Sequence, residues 1–273
     1  MVRLFFLIVD AMKFISSKDN PRFKHWLKVS QAKVKHEVLL EGTHLCEMWF
    51  AQYGLPEQVI IREDVVQSAT GAGDRQLQAL LKQLGAEQLL VLPDNLFQAL
   101  NSVPSPQGIL FHCKVPYSHE ITIPTNTSIY LERIQDPGNL GTIIRTCAAA
   151  DVEAIYLSPA CVNPWSSKVL RSAQGAHFSV KIYTHVEPAD LFTQNTLPVY
   201  ATYLSAGASN LYKTSLPQQL IWLLGNEGQG ISDELIRYAD EQIFIPQSNK
   251  VESLNVGIAC GLVLFEQRRQ WLG

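Results

Sequence analysis

Two α/β domains in tandem, the second built on a parallel sheet, are the architecture this chain predicts. Three observations carry the prediction. From Ser128 onward, short apolar runs recur as unbroken blocks, such as Ile221-Trp222-Leu223-Leu224, with helix-like segments between most of them. Unbroken apolar strands fit a parallel sheet buried on both faces, because an exposed face would impose alternation. Residues 13–117 alternate strand-like and helix-like pieces as well, and a polar stretch at 118–127, marked by Pro124, separates the two regions. At 273 residues and 47% hydrophobic content, the chain has the material for two cores.

In the first region, Val38–Gly42 reads as strand and turn and Thr43–Tyr53 as a helix. Gln58–Ile61 reads as a strand, and Asp74–Leu84 as a helix with a capping Asp at its start and Gly85 after its end. Gln88–Leu92 is a strand, Asp94–Asn101 a helix and Gly108–Cys113 a strand. In the second region the strands are Ile129–Glu132, Ala154–Leu157, Val180–Tyr183, Val199–Tyr203, Ile221–Leu224 and Gln242–Ile245. The last helix, from about Ser253 to Trp271, is apolar nearly all round. Such a helix needs cover on more than one side, from the sheet and from a second subunit.

Net charge is −3, but the charge is unevenly spread. Residues 13–36 carry seven Lys and Arg side chains against the single acid Asp19, with Phe23, His25, Trp26 and His36 among them. A charge run of this kind is a solvated helix face or a phosphate-binding surface; the interleaved aromatics favour the second. The five cysteines are odd in number and widely spaced, with no C-x-x-C pair, which points to reduced thiols in a cytoplasm rather than disulfides or zinc. The apolar start, Val2–Val9, is too short for the roughly 20 residues of a membrane span and has no small-residue cleavage site. Residues 1–11 are expected to be an upstream extension, with Met12 as the more natural opening.

Three polar loops each follow an apolar strand. The first is Asp136-Pro137-Gly138-Asn139-Leu140-Gly141. Pro137-Gly138 suits a type II turn, Asn139 a helix N-cap, and Gly141 a close approach of backbone or ligand. Arg145 is expected in the second turn of that helix, reachable from the mouth. The second loop, Gly225-Asn226-Glu227-Gly228-Gln229-Gly230, exposes backbone to a ligand at the carboxyl end of a strand. Its spacing is neither a dinucleotide-binding fingerprint nor a P-loop. The third runs from Ile245-Pro246 to Asn255; Ser253 is placed to cap the final helix and Asn255 to lie in its first turn. Three such loops in one domain indicate a built site.

Together, in this order, the loops resemble the three signature motifs of the SpoU/TrmH family of RNA ribose 2′-O-methyltransferases, within the SPOUT superfamily. The resemblance runs from about Ser128 to Arg269 and includes Arg171-Ser172-Ala173-Gln174-Gly175-Ala176-His177-Phe178. Ile15–Arg22 and Leu39–Gly42 resemble the family's ribosomal-protein-like substrate-binding domain. Departures are slight: Gln247 stands where Met is frequent, Gly257 where Ser is common and Cys147 where Ala is usual.

The resemblance implies a substrate-binding domain over 13–117, a linker over 118–127 and a SPOUT domain with a deep trefoil knot over 128–273. It implies methyl transfer from S-adenosylmethionine to a ribose 2′-hydroxyl of RNA by a cytoplasmic homodimer. The catalytic set would be Arg145, Asn139, Glu227, Ser253 and Asn255. The cofactor would be held by Thr202, Leu224, Gly225, Asn226, Gly228, Ile245, Leu254 and Asn255. RNA contacts would come from Lys18, Arg22, Lys24, Lys28 and Arg171. No metal is expected. The full N-terminal module resembles family members acting on ribosomal RNA more than the short transfer-RNA enzymes. A transfer-RNA methyltransferase and a non-catalytic RNA-binding assembly factor are the alternatives. A Rossmann-type small-molecule enzyme would place its glycine loop after the first strand, and here the glycine loop comes late.

Overall fold

The fold is that of a computed structural model, which describes residues 13–68, 75–85, 88–116, 120–205, 207–226 and 228–272. The expected upstream extension at 1–11 and the expected cap Asp74 lie outside those residues. The chain divides into two compact units, Met1–Pro116 with Trp165–Ser167, and Tyr117–Pro164 with Lys168–Gly273.

The first unit is a mixed five-stranded sheet in the order β1-β4-β3-β5-β2. Its strands are β1 (Lys13–Phe14), β2 (Glu37–Glu41), β3 (Gln58–Arg62), β4 (Leu89–Leu92) and β5 (Ile109–Lys114). Helices α1 (Pro21–Ser30), α2 (Thr43–Tyr53), α3 (Glu63–Ser68), α4 (Arg75–Gln83) and α5 (Asp94–Leu100) connect them. Three of these elements are absent from the sequence reading: β1 and α1, which lie in the cation-rich stretch, and the six-residue helix α3. Helix α1 forms for local reasons. Asn20 caps it, its side chain accepting from the Arg22 amide at 2.9 Å, and Pro21 fills the first helical position, where no amide is needed. Phe23, Trp26 and Val29 then recur on one face and enter the core. Phe23 and Trp26, whose interleaving with cations favoured a phosphate-binding surface, are therefore structural: Phe23 is 4% exposed and Trp26 2%.

The second unit is a seven-stranded sheet in the order β10-β12-β9-β11-β6-β7-β8, and every neighbouring pair in it is parallel. The strands are β6 (Ser128–Leu131), β7 (Ala154–Leu157), β8 (Lys181–Tyr183), β9 (Val199–Thr202), β10 (Ser209–Asn210), β11 (Ile221–Leu224) and β12 (Glu241–Phe244). The helices are α6 (Pro137–Ala149), α7 (Ser167–Ala173), α8 (Pro188–Phe192), α9 (Asp233–Ile236) and α10 (Val256–Trp271). All four residues of β6, of β7 and of β11 are buried. Alternate residues feed two cores. Ile129, Leu131, Trp222 and Leu224 meet the side covered by α6 and α10, while Tyr130, Ile221 and Leu223 meet the other. The two-residue strand β10 was not anticipated, being polar and short.

The stretch expected as a linker is, over residues 120–127, a strap on the second unit. Ile121 and Ile123 pack on its core, and the amides of Thr125 and Asn126 both donate to Glu153 Oε2, at 3.0 and 2.8 Å. Nor is α10 apolar all round. Gln267 is buried, accepting from the Trp222 indole at 2.8 Å and donating to Thr127 Oγ1 at 2.9 Å. No helix among the described residues is long and apolar enough to cross a membrane.

Candidate functional site

A parallel sheet gathers all its strand ends at one edge. Strand β11 has β9 on one side and β6 on the other, and β12 lies beyond β9. Leu223 is level with Ala201, Leu224 with Leu131, and Ile243 with Thr202. Thr202, Leu224-Gly225 and Ile245, remote in sequence, thus leave the sheet side by side, next to the start of the first loop. Thr202 is held there by a bond from its hydroxyl to the Leu223 carbonyl at 3.2 Å.

The three loops are tied together, each tie running to the first loop or to Glu132 and Arg133 just ahead of it. Asn226 of the second loop donates to the Arg133 carbonyl at 3.0 Å. Just beyond that loop, Ser232 gives its amide and hydroxyl to the Glu132 carboxylate at 2.8 and 2.6 Å. Asn255 of the third loop donates to Asn139 Oδ1 at 2.8 Å. Asn226 also folds its own loop, its side-chain oxygen accepting from the Gly228 and Gln229 amides at 2.8 and 3.3 Å. Gly225 permits that fold, since a Cβ there would lie 2.2 Å from the Gly230 carbonyl carbon.

Several local expectations change. The N-cap of α6 is Asp136, whose carboxylate accepts from the Asn139 amide at 2.7 Å; Asn139 lies inside the helix, and Pro137-Gly138 open it rather than form a type II turn. Arg145 consequently falls in the third turn. The close approach at Gly141 is to helix α7, because a Cβ would meet Ser172 Cβ at 2.3 Å and the Val169 carbonyl at 2.9 Å. The cap of α10 is Asn255, not Ser253: its Oδ1 accepts from the Gly257 and Ile258 amides at 2.9 and 3.3 Å. One side chain therefore caps the last helix and reaches the first loop.

Arg145 is exposed on α6 and has no hydrogen bond or ion pair among the described residues. Ser253 is exposed as well, and Glu227 lies outside the described residues. Leu224 and Ile245 are buried and Leu254 is half-buried, all three belonging to the core under α6 and α10. In the first unit, Lys18, Arg22, Lys24 and Lys28 are exposed, and Lys24 pairs with Asp19 at 2.8 Å. Arg171 is exposed on α7 in the second. Glu132, Arg133 and Asp136 were missed by the sequence reading. Arg133 has a left-handed backbone, φ 54°, which nothing in its local sequence announces. With Glu132, Ser158 and Ser232 it lines a pocket of about 180 Å³.

Elsewhere in the second unit, His177 is buried and its Nε2 donates to the Pro164 carbonyl at 2.7 Å. Burial, only partly offset by that bond, pushes its pKa down to about 4.

The profile of the SpoU rRNA Methylase family matches residues 126–265. The 23S rRNA (guanosine(2553)-2′-O)-methyltransferase RlmP of Bacillus subtilis is 29% identical, over 94% of this chain and 100% of its own length. An uncharacterized tRNA/rRNA methyltransferase of Synechocystis sp. is 33% identical over 94% of this chain and 93% of its own. The crystal structure of an AdoMet-bound rRNA methyltransferase from Sinorhizobium meliloti superposes with a TM-score of 0.76 at 27% identity, covering 96% of this chain and 100% of that one.

Proposed function

Because this chain belongs to the SpoU rRNA Methylase family, we propose that it transfers a methyl group from S-adenosylmethionine to a ribose 2′-hydroxyl of ribosomal RNA. The observation that carries the reading is the convergence of the three loops on one rim, cross-linked by Asn226, Ser232 and Asn255, with the exposed Arg145 on the helix the first loop begins.

The residues present fit an adenosyl group. Leu224 and Ile245, whose side chains belong to the core, would hold it through their backbone, half-buried Leu254 offers apolar surface, and the backbone around Gly228 and Gly230 is uncovered: a Cβ at Gly228 would touch only Asn226 Oδ1, at 3.5 Å, and one at Gly230 nothing within 4 Å. Thr202, Gly225 and Asn226 complete the site, Asn226 by fixing the loop. When bound, the cofactor's sulfonium supplies a methyl group already activated for transfer.

The protein's task is then the nucleophile. A ribose hydroxyl is a weak acid, so the site must orient it and stabilise its developing negative charge. Arg145 does this as a clamp on the adjacent phosphate and the forming oxyanion; a guanidinium presents fixed donors and keeps its own proton, so the hydroxyl proton passes to phosphate or water. Asn139 is held by Asn255 and orients the ribose or Arg145. Glu227 fixes Arg145 or substrate, and Ser253 lines the rim.

The first unit serves as the RNA-holding module, with Lys18, Arg22, Lys24 and Lys28 on phosphates; Arg171 adds a contact on the second unit. The second unit, closed by the family's trefoil knot, works as a homodimer. An exposed apolar stripe along α10 and its cap supports this, Ile258, Phe265 and Leu272 recurring every seven residues and being 56, 48 and 69% exposed. Five free cysteines fit a cytoplasmic setting.

The test is transfer of labelled methyl groups to RNA from a strain lacking the gene, with ribosomal and transfer pools digested separately to nucleosides. A 2′-O-methylnucleoside is expected in the ribosomal pool. Arg145→Ala should lower turnover about 10³-fold with cofactor binding retained. Label in transfer RNA would replace the substrate. Neither label nor cofactor binding would favour the non-catalytic RNA-binding reading.

A further inference from the structure

One group of side chains in the first unit has no part in this chemistry. His25 lies on α1, Glu37 begins the edge strand β2, and His112 projects from the adjoining strand β5. Both imidazole Nε2 atoms stand 2.6 Å from the same oxygen, Glu37 Oε2. The three potential ligand atoms lie within 4.8 Å of one another, and the imidazole planes are nearly perpendicular, 78°, with centroids 5.7 Å apart. Nothing in the sequence brought them together; the antiparallel register of β2 on β5 and the packing of α1 do.

The protonation state suits a cation. Burial depresses the pKa of His112, outweighing the hydrogen bond to Glu37 that would raise it. At Glu37 burial acts upward, but the hydrogen bonds from His25 and His112 together pull the carboxyl below its ordinary value. The balance differs because His112 is nearly buried while the Glu37 side chain is about a fifth exposed. At neutral pH an ionised carboxylate thus faces a neutral imidazole, the forms that metals bind. Among the described residues His112 Nδ1 is buried without a hydrogen-bond partner, and the ring is held by hydrogen bonding on its Nε2 side.

We propose that His25, Glu37 and His112 form a site for a divalent metal ion of the zinc class, bound through the two Nε2 atoms and Glu37 Oε2. Two imidazoles and one carboxylate are a zinc donor set that leaves a fourth position for water. Tetrahedral bonds of about 2.0–2.1 Å hold ligand atoms about 3.3 Å apart. Each 2.6 Å contact therefore opens by roughly 0.7 Å as the shared proton gives way to the ion. A swing of the partly exposed Glu37 side chain accommodates that. The ion would join α1 to the edge of the sheet and fix the helix that carries Arg22, Lys24 and Lys28.

The experiment is titration of the chelator-treated full-length protein with Co²⁺. One equivalent should bind with the intense visible absorption of four-coordinate cobalt, Zn²⁺ should displace it, and either ion should raise the thermal midpoint. Glu37→Gln and His112→Gln should abolish the absorption, whereas His185→Gln, an exposed histidine of the second unit, should leave it unchanged. His25→Gln guards against a folding artefact, since that side chain is half-exposed on a helix and its loss leaves the core intact. Absence of the cobalt spectrum in the unmodified protein would overturn the site. So would a spectrum that survives in folded His25→Gln and Glu37→Gln protein; the cluster would then be a proton-sharing network only.

Discussion

The rim of the second sheet and the outer face of α1 are both polar surfaces, yet they are built in opposite ways. On the rim, polar groups spend their hydrogen bonds on one another and on loop backbone: Asn226 on Arg133 and Gly228, Ser232 on Glu132, Asn255 on Asn139 and the start of α10. On α1 the charged side chains Arg22 and Lys28 hold no partner among the described residues, while the apolar side of the same helix does the structural work. The rim is a matter of geometry and the helix face a matter of charge. Geometry fails when one atom is misplaced; charge fails gradually, by addition.

The sharpest test of that contrast is Gly225→Ala. The new methyl would sit 2.2 Å from the Gly230 backbone and 2.4 Å from the Ile231 amide, neither of which can yield without opening the loop. A stability loss of about 3 kcal/mol is expected, at the upper end for overpacking, with cofactor binding lost. Gly228→Ala, which meets only ordinary contact, should keep its stability; denaturant midpoints read the pair. Equal tolerance at the two positions would break the geometric account.

Acid probes the buried imidazole of His177. The folded-state pKa of His177 is about 4, below the ordinary 6.5, so the unfolded chain binds its proton more readily. The stability this contributes is present above pH 6.5 and is lost as pH falls to about 4, a change on the order of 3 kcal/mol. Denaturation midpoints across that window should drop in the unmodified protein, and the gap between it and His177→Gln should narrow. A gap that stays constant with pH would mean that His177 is not the group responsible.

Asn255→Ala removes a helix cap and one inter-loop tie together. Roughly 1 kcal/mol of stability should go with the cap. Turnover should fall by more than that loss explains, because Asn139 is released; an unchanged kcat in folded protein would remove Asn139 from the catalytic set. The smallest effect is expected on α1. Replacing both Arg22 and Lys28 with Gln should raise KM for RNA several-fold, leave kcat alone, and reduce the salt dependence of log KM on log salt concentration by a slope of about 2. An unaltered salt slope would take RNA off this face.

The layout of strands in the second unit was legible because each is a local apolar run, and burial on both faces leaves little room for another pattern. The final helix was legible for the same reason, but its boundary was not. Asn255 was expected inside it, and only the three-dimensional course of Ser253–Asn255 reveals the cap. Cross-loop ties such as Asn255 to Asn139, 116 residues apart, have no local signature at all. The resemblance to known motifs named candidate site residues; it could not say that Asn226 organises its own loop or that Gly141 serves helix packing. The misreading of Phe23 and Trp26 has a plain cause. Cations and aromatics interleave both on a nucleic-acid surface and along an amphipathic helix, and α1 separates them by face.

The buried amide of Gln267 joins the last helix to Thr127, at the head of the strand that sits near the middle of the sheet, and to the carbonyls of Pro217 and Gln218. The first and final pieces of this unit therefore close on each other, 140 residues apart along the chain. During synthesis, β6 emerges long before either β11 or α10 exists to cover it, and its four buried residues must wait exposed. The second unit cannot reach its native form until the last turns of α10 have cleared the ribosomal exit tunnel, whereas the strands and helices of the first unit up to Pro116 are all available much earlier.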